Sequence, residues 1–176
     1  MRVVAGTLKG RRLASPPPGD VRVRPTADRA REALFSILQR WPSGPFLDLC
    51  AGTGAVGIEA HSRGYAPVVC VESGDPGWGC LQLNLKGLPV MAIRKDLQRL
   101  GADAFKGQAV IFLDPPYALA SILWARQGRS LRTWLAPDGV LVFETDRNTS
   151  LELQPEWILA ETREYGAARF HFWIPA

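Results

Sequence analysis

Three cysteines, two histidines and two methionines are all that this 176-residue chain has of those residue types. Cys50, Cys70 and Cys80 cannot all pair, and neither they nor His61 and His171 stand at metal-ligand spacing, so no metal centre is expected. Cys50 and Cys70 fall in apolar runs and read as small core residues, within strands, of a reduced cytoplasmic protein. Long hydrophobic runs are missing too: none reaches the ~18 residues of a membrane span. The opening Met1-Arg2-Val3-Val4-Ala5-Gly6 turns polar at once, without a signal peptide's apolar stretch. A cytoplasmic protein with no membrane contact is the expectation. No repeat is visible, and the length suits one well-buried domain rather than two. Lysine is scarce: Lys9, Lys86, Lys95 and Lys106 stand against 17 arginines. Arginine suits a bidentate grip on phosphate.

The charge is unevenly spread. Residues 1–40 contain nine basic and three acidic side chains, a net of +6, while the remainder contains 12 basic and 14 acidic ones. Positive charge gathered at one end of a nearly neutral chain points to a polyanionic partner engaged there. The expected contacts are Arg2, Lys9, Arg11, Arg12, Arg22, Arg24, Arg29 and Arg31. Residues 2–5 and 11–13 read as two short strands separated by Gly6 and Gly10. Ser15-Pro16-Pro17-Pro18-Gly19-Asp20 reads as a stiff extended connection. Ala30, Ala33, Leu34, Ile37 and Leu38 recur at helical spacing behind Thr26, a suitable N-cap.

From Phe46 onward, strands and helices alternate. Residues 46–50, 68–71, 90–93, 110–113 and 139–144 read as strands. Helical stretches run through 56–60, 78–85, 97–105 and 119–135, with Gly128 a point of interruption in the last. Residues 157–160 and 169–174, turned by Tyr165-Gly166-Ala167-Ala168, leave no room for a crossover helix and must pair antiparallel. The fold class is therefore α/β: a Rossmann-like, mostly parallel seven-stranded sheet closed by a C-terminal antiparallel hairpin.

Asp114-Pro115-Pro116-Tyr117 follows the fourth strand. An acid, two prolines and a ring at the mouth of a parallel strand suit methylation of a nitrogen conjugated to a π-system. Such a nitrogen has its lone pair delocalised and is a poor nucleophile. A carboxylate and a backbone carbonyl can accept its two N–H bonds, orienting it and letting the lone pair localise toward an incoming methyl group. The prolines fix φ and stiffen the turn, and Tyr117 can stack on a flat substrate. Read as structure alone, the same residues are a turn after a strand.

Gly52-Thr53-Gly54-Ala55-Val56-Gly57 matches G-x-G-x-x-G after a strand, with Glu72 where a ribose-binding acid belongs. Nicotinamide sites share that spacing. Asp48 would repel a dinucleotide's phosphates, however, and no Tyr-x-x-x-Lys or histidine relay is present. S-adenosylmethionine offers Asp48 an ammonium and a sulfonium, which would offset the cost of burying its charge. Glu72 can then accept from both ribose hydroxyls and Asp96 from the adenine amine. The plainer alternatives are a carboxylate capping the turn amides for Asp48, a polar strand end for Glu72 and an N-cap for Asp96.

Taken together, these residues resemble a known family. The stretch from Asp48-Leu49-Cys50-Ala51-Gly52-Thr53-Gly54 to Arg63-Gly64 is similar to the cofactor loop of the RsmD family, the bacterial guanine-N2 methyltransferases of small-subunit ribosomal RNA. The opening residues, Gly10-Arg11-Arg12-Leu13, Arg24-Pro25-Thr26-Ala27-Asp28-Arg29-Ala30-Arg31-Glu32 and Phe112-Leu113-Asp114-Pro115-Pro116-Tyr117 extend the resemblance along nearly the whole chain. Asp-Pro-Pro-Tyr alone is shared with adenine-N6 methyltransferases of DNA and RNA; the N-terminal stretch makes the match specific.

The resemblance implies a class I S-adenosylmethionine-dependent methyltransferase domain over 41–176. It implies a basic RNA-binding extension over 1–40, and a monomer acting on 16S ribosomal RNA in an assembling 30S particle. Asp48, Ala51, Gly52, Thr53, Gly54, Gly57, Glu72, Asp96 and Leu97 would hold the cofactor. Asp114 and the Pro115 carbonyl, stiffened by Pro116, would hold the guanine amine under Tyr117. Two departures stand out. Ser73-Gly74-Asp75-Pro76-Gly77-Trp78-Gly79 is unusually rich in glycine and brings Trp78 toward the adenine side. Glu164 stands before Tyr165-Gly166, where the family often has Lys or Arg. An adenine-N6 methyltransferase acting on RNA or DNA is the runner-up reading; a non-catalytic, RNA-binding assembly factor on the same fold is the non-enzyme one, and the complete Asp114–Tyr117 motif weighs against it.

Overall fold

The computed structural model describes residues 1–16 and 28–176. Pro17, Pro18, Arg22, Arg24 and the Thr26 cap lie outside the described residues. Helix α1 (Asp28–Leu38) is followed by β1 (Phe46–Leu49), α2 (Ala55–Ser62), β2 (Val68–Glu72), α3 (Asp75–Asn84) and β3 (Val90–Arg94). A short 3-10 turn (Leu97–Arg99), β4 (Gln108–Leu113), α4 (Tyr117–Trp134), β5 (Leu135–Asp146), β6 (Trp157–Tyr165) and β7 (Ala168–Pro175) complete the chain.

The strands form one sheet in the order β3-β2-β1-β4-β5-β7-β6. The first five are parallel, while β7 runs antiparallel to both β5 and β6. This is the expected α/β sheet with its closing hairpin. The chain reverses direction across the sheet between β1 and β4, which places a crevice at the carboxyl ends of those strands. The central strands β1 and β4 are buried along their whole length, as continuous apolar runs between two helical layers require.

Alternate residues of each central strand feed two cores. Phe46, Val110, Phe112, Val142 and Phe170 pack on one face with residues of α1 and α2 and with Val3 and Leu13. Leu47, Ile111, Leu113, Leu141 and Phe143 pack on the other with Trp124, Leu131 and Trp134 of α4. The N-terminal residues and α1 therefore share a core with the sheet. Within them, the expected pair of short strands is an antiparallel bridge between Arg2 and Arg12, flanked by Val3 N–H to Arg11 O at 3.0 Å and Leu13 N–H to Met1 O at 3.2 Å.

Several boundaries differ from expectation. The helix expected over 97–105 is only the 3-10 turn, because Asp96 caps a single turn that runs into Leu100 in extended conformation. Helix α4 begins at Tyr117 and continues through Gly128. That glycine lies against the Gln154 side chain, and its carbonyl accepts the Trp157 indole N–H at 3.2 Å. Helix α3 begins at Asp75 with Pro76 in its first turn, a position where the missing N–H costs nothing. Strand β5 starts four residues earlier than its apolar run, beyond an irregularity in its register with β4.

Candidate active site

Strand β1 ends at Leu49, and the chain reverses through left-handed backbone at Cys50 (φ 57), Gly52 (φ 54) and Gly54 (φ 77). Cys50 is thus a half-buried turn residue and not a strand residue. Burial, followed by the charges of Glu72 and Asp114, raises its thiol pKa far above the ordinary value, which makes it a poor nucleophile.

Gly57 lets the first turn of α2 settle on Asp48. A Cβ there would stand 2.4 Å from Cys70 Sγ and 3.1 Å from Asp48 Oδ2. Its N–H instead donates to Asp48 Oδ2 at 2.8 Å. Asp48 is 1% exposed. Burial pushes its carboxyl up to about 7; the Gly57 bond opposes that rise and the Glu72 charge adds to it. A carboxylate this poorly compensated, under a glycine turn at a cleft, suits an ammonium or sulfonium group far better than a phosphate.

Glu72 accepts three backbone N–H groups: Gly52 on Oε2 at 2.7 Å, and Ser73 and Gly74 on Oε1 at 2.8 and 2.6 Å. A carboxylate has about four acceptor positions. One therefore remains for a ribose hydroxyl, and a second hydroxyl must share. Gly77 permits this packing, since a Cβ there would lie 3.1 Å from both Gly52 Cα and Glu72 Cδ. Asp96 Oδ1 accepts Gln98 N–H at 2.9 Å, so this residue does cap the following turn.

These groups line one cleft of about 760 Å³. Asp48, Ala51, Gly52 and Thr53 form one wall, Glu72, Asp96 and Leu97 the next, and Asp114, Pro115, Pro116 and Tyr117 face them. Gly54 and Gly57 lie behind the lining, where they allow Leu81 and Asp48 to approach the turn. Asp114 is half-buried and follows β4 directly, its N–H 3.4 Å from Leu49 O. The Pro116 carbonyl accepts Leu119 N–H at 2.8 Å and so belongs to α4. That leaves Pro115, one residue closer to Asp114, as the candidate acceptor. Pro76 lines the cleft, whereas Trp78 packs against the core with Arg94 over its ring. Trp78 therefore forms no wall of the site. Among the described residues, no cluster suited to a metal ion is found.

Asn84 escaped the sequence reading. It is 4% exposed, and its carboxamide accepts Ala14 N–H at 2.7 Å, donates to Ala14 O at 3.1 Å and donates to Thr53 O at 2.9 Å. It joins the N-terminal segment to the glycine turn after β1. Nothing local marks it, because both partners lie far away in sequence.

The basic residues divide. Arg2, Lys9, Arg12 and Arg29 are exposed. Arg11 is half-buried and donates to Asn84 O at 3.1 Å and Lys86 O at 3.0 Å. Arg31 corrects the expectation: it is fully buried, donates to Arg2 O at 2.5 Å and to Asp28 Oδ1 at 3.0 Å, and lies 3.7 Å from Glu59 Oε2. It holds the N-terminal segment rather than a phosphate. Glu59, also buried, accepts Val4 and Ala5 N–H at 2.7 and 2.9 Å from the same segment.

Residues 1–174 match the family described as conserved hypothetical protein 95. The YlbH protein of Bacillus subtilis is 33% identical over 181 residues, covering 94% of each chain. Ribosomal RNA small subunit methyltransferase D of Haemophilus influenzae is 29% identical, over 98% of this chain and 93% of that one. Among solved structures, a hypothetical protein of Thermus thermophilus superposes with a TM-score of 0.83 at 28% identity, over 100% of this chain and 99% of the other.

Proposed function

The chain belongs to the conserved hypothetical protein 95 family, the RsmD family, and from that premise we propose that it transfers a methyl group from S-adenosylmethionine to the exocyclic 2-amino group of a guanine in small-subunit ribosomal RNA, within an assembling particle. Methyl transfer to ribosomal RNA follows from its relatives; guanine N2 is the finer assignment. The observation that carries the methyl-transfer reading is the shared cleft: Asp114-Pro115-Pro116-Tyr117 lines one cavity with Asp48 and Glu72, while guanine rather than adenine rests on the family resemblance.

S-adenosylmethionine would supply an electrophilic methyl group on a sulfonium. Asp48 would receive its ammonium, Glu72 its ribose, and Asp96 with Leu97 its adenine. Asp114 and the Pro115 carbonyl would accept the two N–H bonds of the guanine amine, holding nitrogen and methyl carbon about 3–3.5 Å apart and in line. Such an amine is barely basic, so no strong base is required before attack. Asp114 stabilises positive charge as it develops on nitrogen and takes the proton afterwards. Tyr117 stacks on the base, which must be exposed or flipped to reach the cleft.

The deciding experiment is methylation of small-subunit particles from cells lacking this protein, followed by mass-spectrometric nucleoside analysis. N2-methylguanosine at one position is expected. N6-methyladenosine as the product overturns the guanine assignment.

A further inference from the structure

A second pocket, of about 250 Å³, lies between the end of β5 and the β6–β7 hairpin, on the face covered by α4. Arg147, Thr149, Thr162, Arg169, His171 and Trp173 contribute to its lining. The strand register fixes its distance from the catalytic loop. Leu113, the residue before Asp114, pairs with Phe143, and Phe143 pairs with His171. His171 is therefore level with the start of the loop and two strand spacings away, roughly 10 Å.

The pocket is also tied to α4, the helix that begins at Tyr117. Trp173 stacks on Trp124 of α4 with centroids 4.7 Å apart, and on its other side lies near-parallel to His171 at 6.4 Å. The loop after β5 is bound to α4 through Trp124 Nε1–H to Glu152 O at 2.6 Å and Gln154 Nε2–H to Trp124 O at 2.8 Å.

Its chemistry is that of a nucleotide site. The Thr145 hydroxyl lies 2.9 Å from Asp146 O and 3.0 Å from His171 Nε2, and the imidazole tautomer sets which of the hydroxyl and Nε2 donates to the other. In the neutral ring Nδ1 takes the complementary role, donor or acceptor. Burial, with Arg169 adding to it, lowers the imidazole to about 4, which keeps it neutral. The Trp173 indole N–H is buried and has no partner among the described residues, a donor whose desolvation nothing repays. Arg169 and Arg147 flank the pocket, held by Glu164 at 2.7 and 3.5 Å. Leu153 and Leu159 give it an apolar rim, 78% and 39% exposed.

We propose that this pocket is a subsite for an RNA nucleotide neighbouring the methylated base, its base or ribose seated on His171 and Trp173 between the leucines and its phosphate held by Arg147 and Arg169. The subsite rests on the RNA reading above and adds a second point of recognition next to Tyr117. Glu164 pre-positions the two guanidinium groups.

The test fills the pocket without changing charge. Thr162 is exposed on the edge strand β6, where tryptophan is well accommodated. Thr162→Trp is expected to weaken binding of labelled, unmethylated small-subunit particles about tenfold at fixed salt, measured without cofactor. Ile158→Trp, on the same strand but outside the pocket, is the control and binds as wild type. Arg147→Gln is expected to weaken binding and to lower the log–log salt slope by roughly 0.7–0.9, one phosphate contact. Melting temperature and S-adenosylmethionine affinity, read on the same proteins, exclude misfolding. Wild-type particle affinity in Thr162→Trp overturns the subsite. A wild-type product on adenine overturns the base assignment but leaves this binding comparison intact, so the two failures are distinguishable.

Discussion

Asp48 carries a titration that the cofactor should feel. Its carboxyl is raised from 3.8 to about 7 by burial, so in the ligand-free fold it is half-protonated near neutrality. An ammonium group needs the ionised form. Cofactor affinity is therefore expected to fall about tenfold per pH unit below 7 and to level off above it. The stability of the free protein should move the opposite way. The folded state holds this proton more tightly than the unfolded chain, so the contribution of Asp48 declines as pH rises from about 4 to 7. Calorimetry between pH 6 and 8 checks the first sign and thermal melts between pH 4 and 8 the second, and Asp48→Asn should flatten both curves. Asp114, on the proposed reading, meets the substrate amine and not the cofactor. Asp114→Ala is expected to abolish single-turnover methyl transfer while leaving cofactor affinity within a few-fold. Asp114→Asn should keep some activity, because a carboxamide oxygen still accepts one N–H. A fully active alanine variant would make Asp114 a turn residue only.

Elements position these residues through close approaches that only glycine allows, and two glycines make the contrast measurable. A methyl group at Gly57 meets Cys70 on β2 at 2.4 Å, and a central strand cannot move aside. Gly57→Ala is expected to cost about 1–3 kcal/mol by overpacking and to weaken cofactor binding through Asp48. At Gly79, exposed on α3, a methyl group meets nothing within 4 Å. Gly79→Ala should add about 0.5–1 kcal/mol by helix propensity, with cofactor affinity unchanged. Chemical denaturation of both variants tests the pair. These elements also show how far the sequence could be read. Strand alternation, the glycine turn and the hairpin were legible because each is a local pattern of apolar period and turn chemistry. Helix ends were less so: Asp75 and Tyr117 start helices earlier than their apolar stripes do, and the turn that Asp96 caps ends at Arg99. Asn84 and the buried role of Arg31 were not legible, since their partners are fixed by tertiary packing. Arg31 in particular stands in a run of exposed-looking charges, and only the approach of Arg2 and Glu59 shows what it holds.

At the scale of the whole molecule, the basic N-terminal segment is fastened to the catalytic body by buried polar contacts at two places. Glu59 and Arg31 hold residues 2–5, and Asn84 holds Ala14 and the carbonyl of Thr53 together. A grip on RNA by this segment would thus be rigidly placed relative to the glycine turn after β1. Among the described residues expected to contact RNA, the exposed ones are Arg2, Lys9, Arg12 and Arg29. Each phosphate contact contributes roughly 0.7–0.9 to the slope of log affinity against log salt. Replacing all four by glutamine is therefore expected to weaken particle binding and to make the slope shallower by about 3. The cofactor affinity should hold, because none of the four touches the cleft. Arg31→Gln should behave otherwise. It leaves Glu59 buried with less compensation, so it should lower the melting temperature while leaving the salt slope of the folded protein near wild type. Titrations of particle binding between 50 and 200 mM salt separate the two outcomes. An unchanged slope in the quadruple variant would mean that these four side chains face solvent and make no phosphate contact.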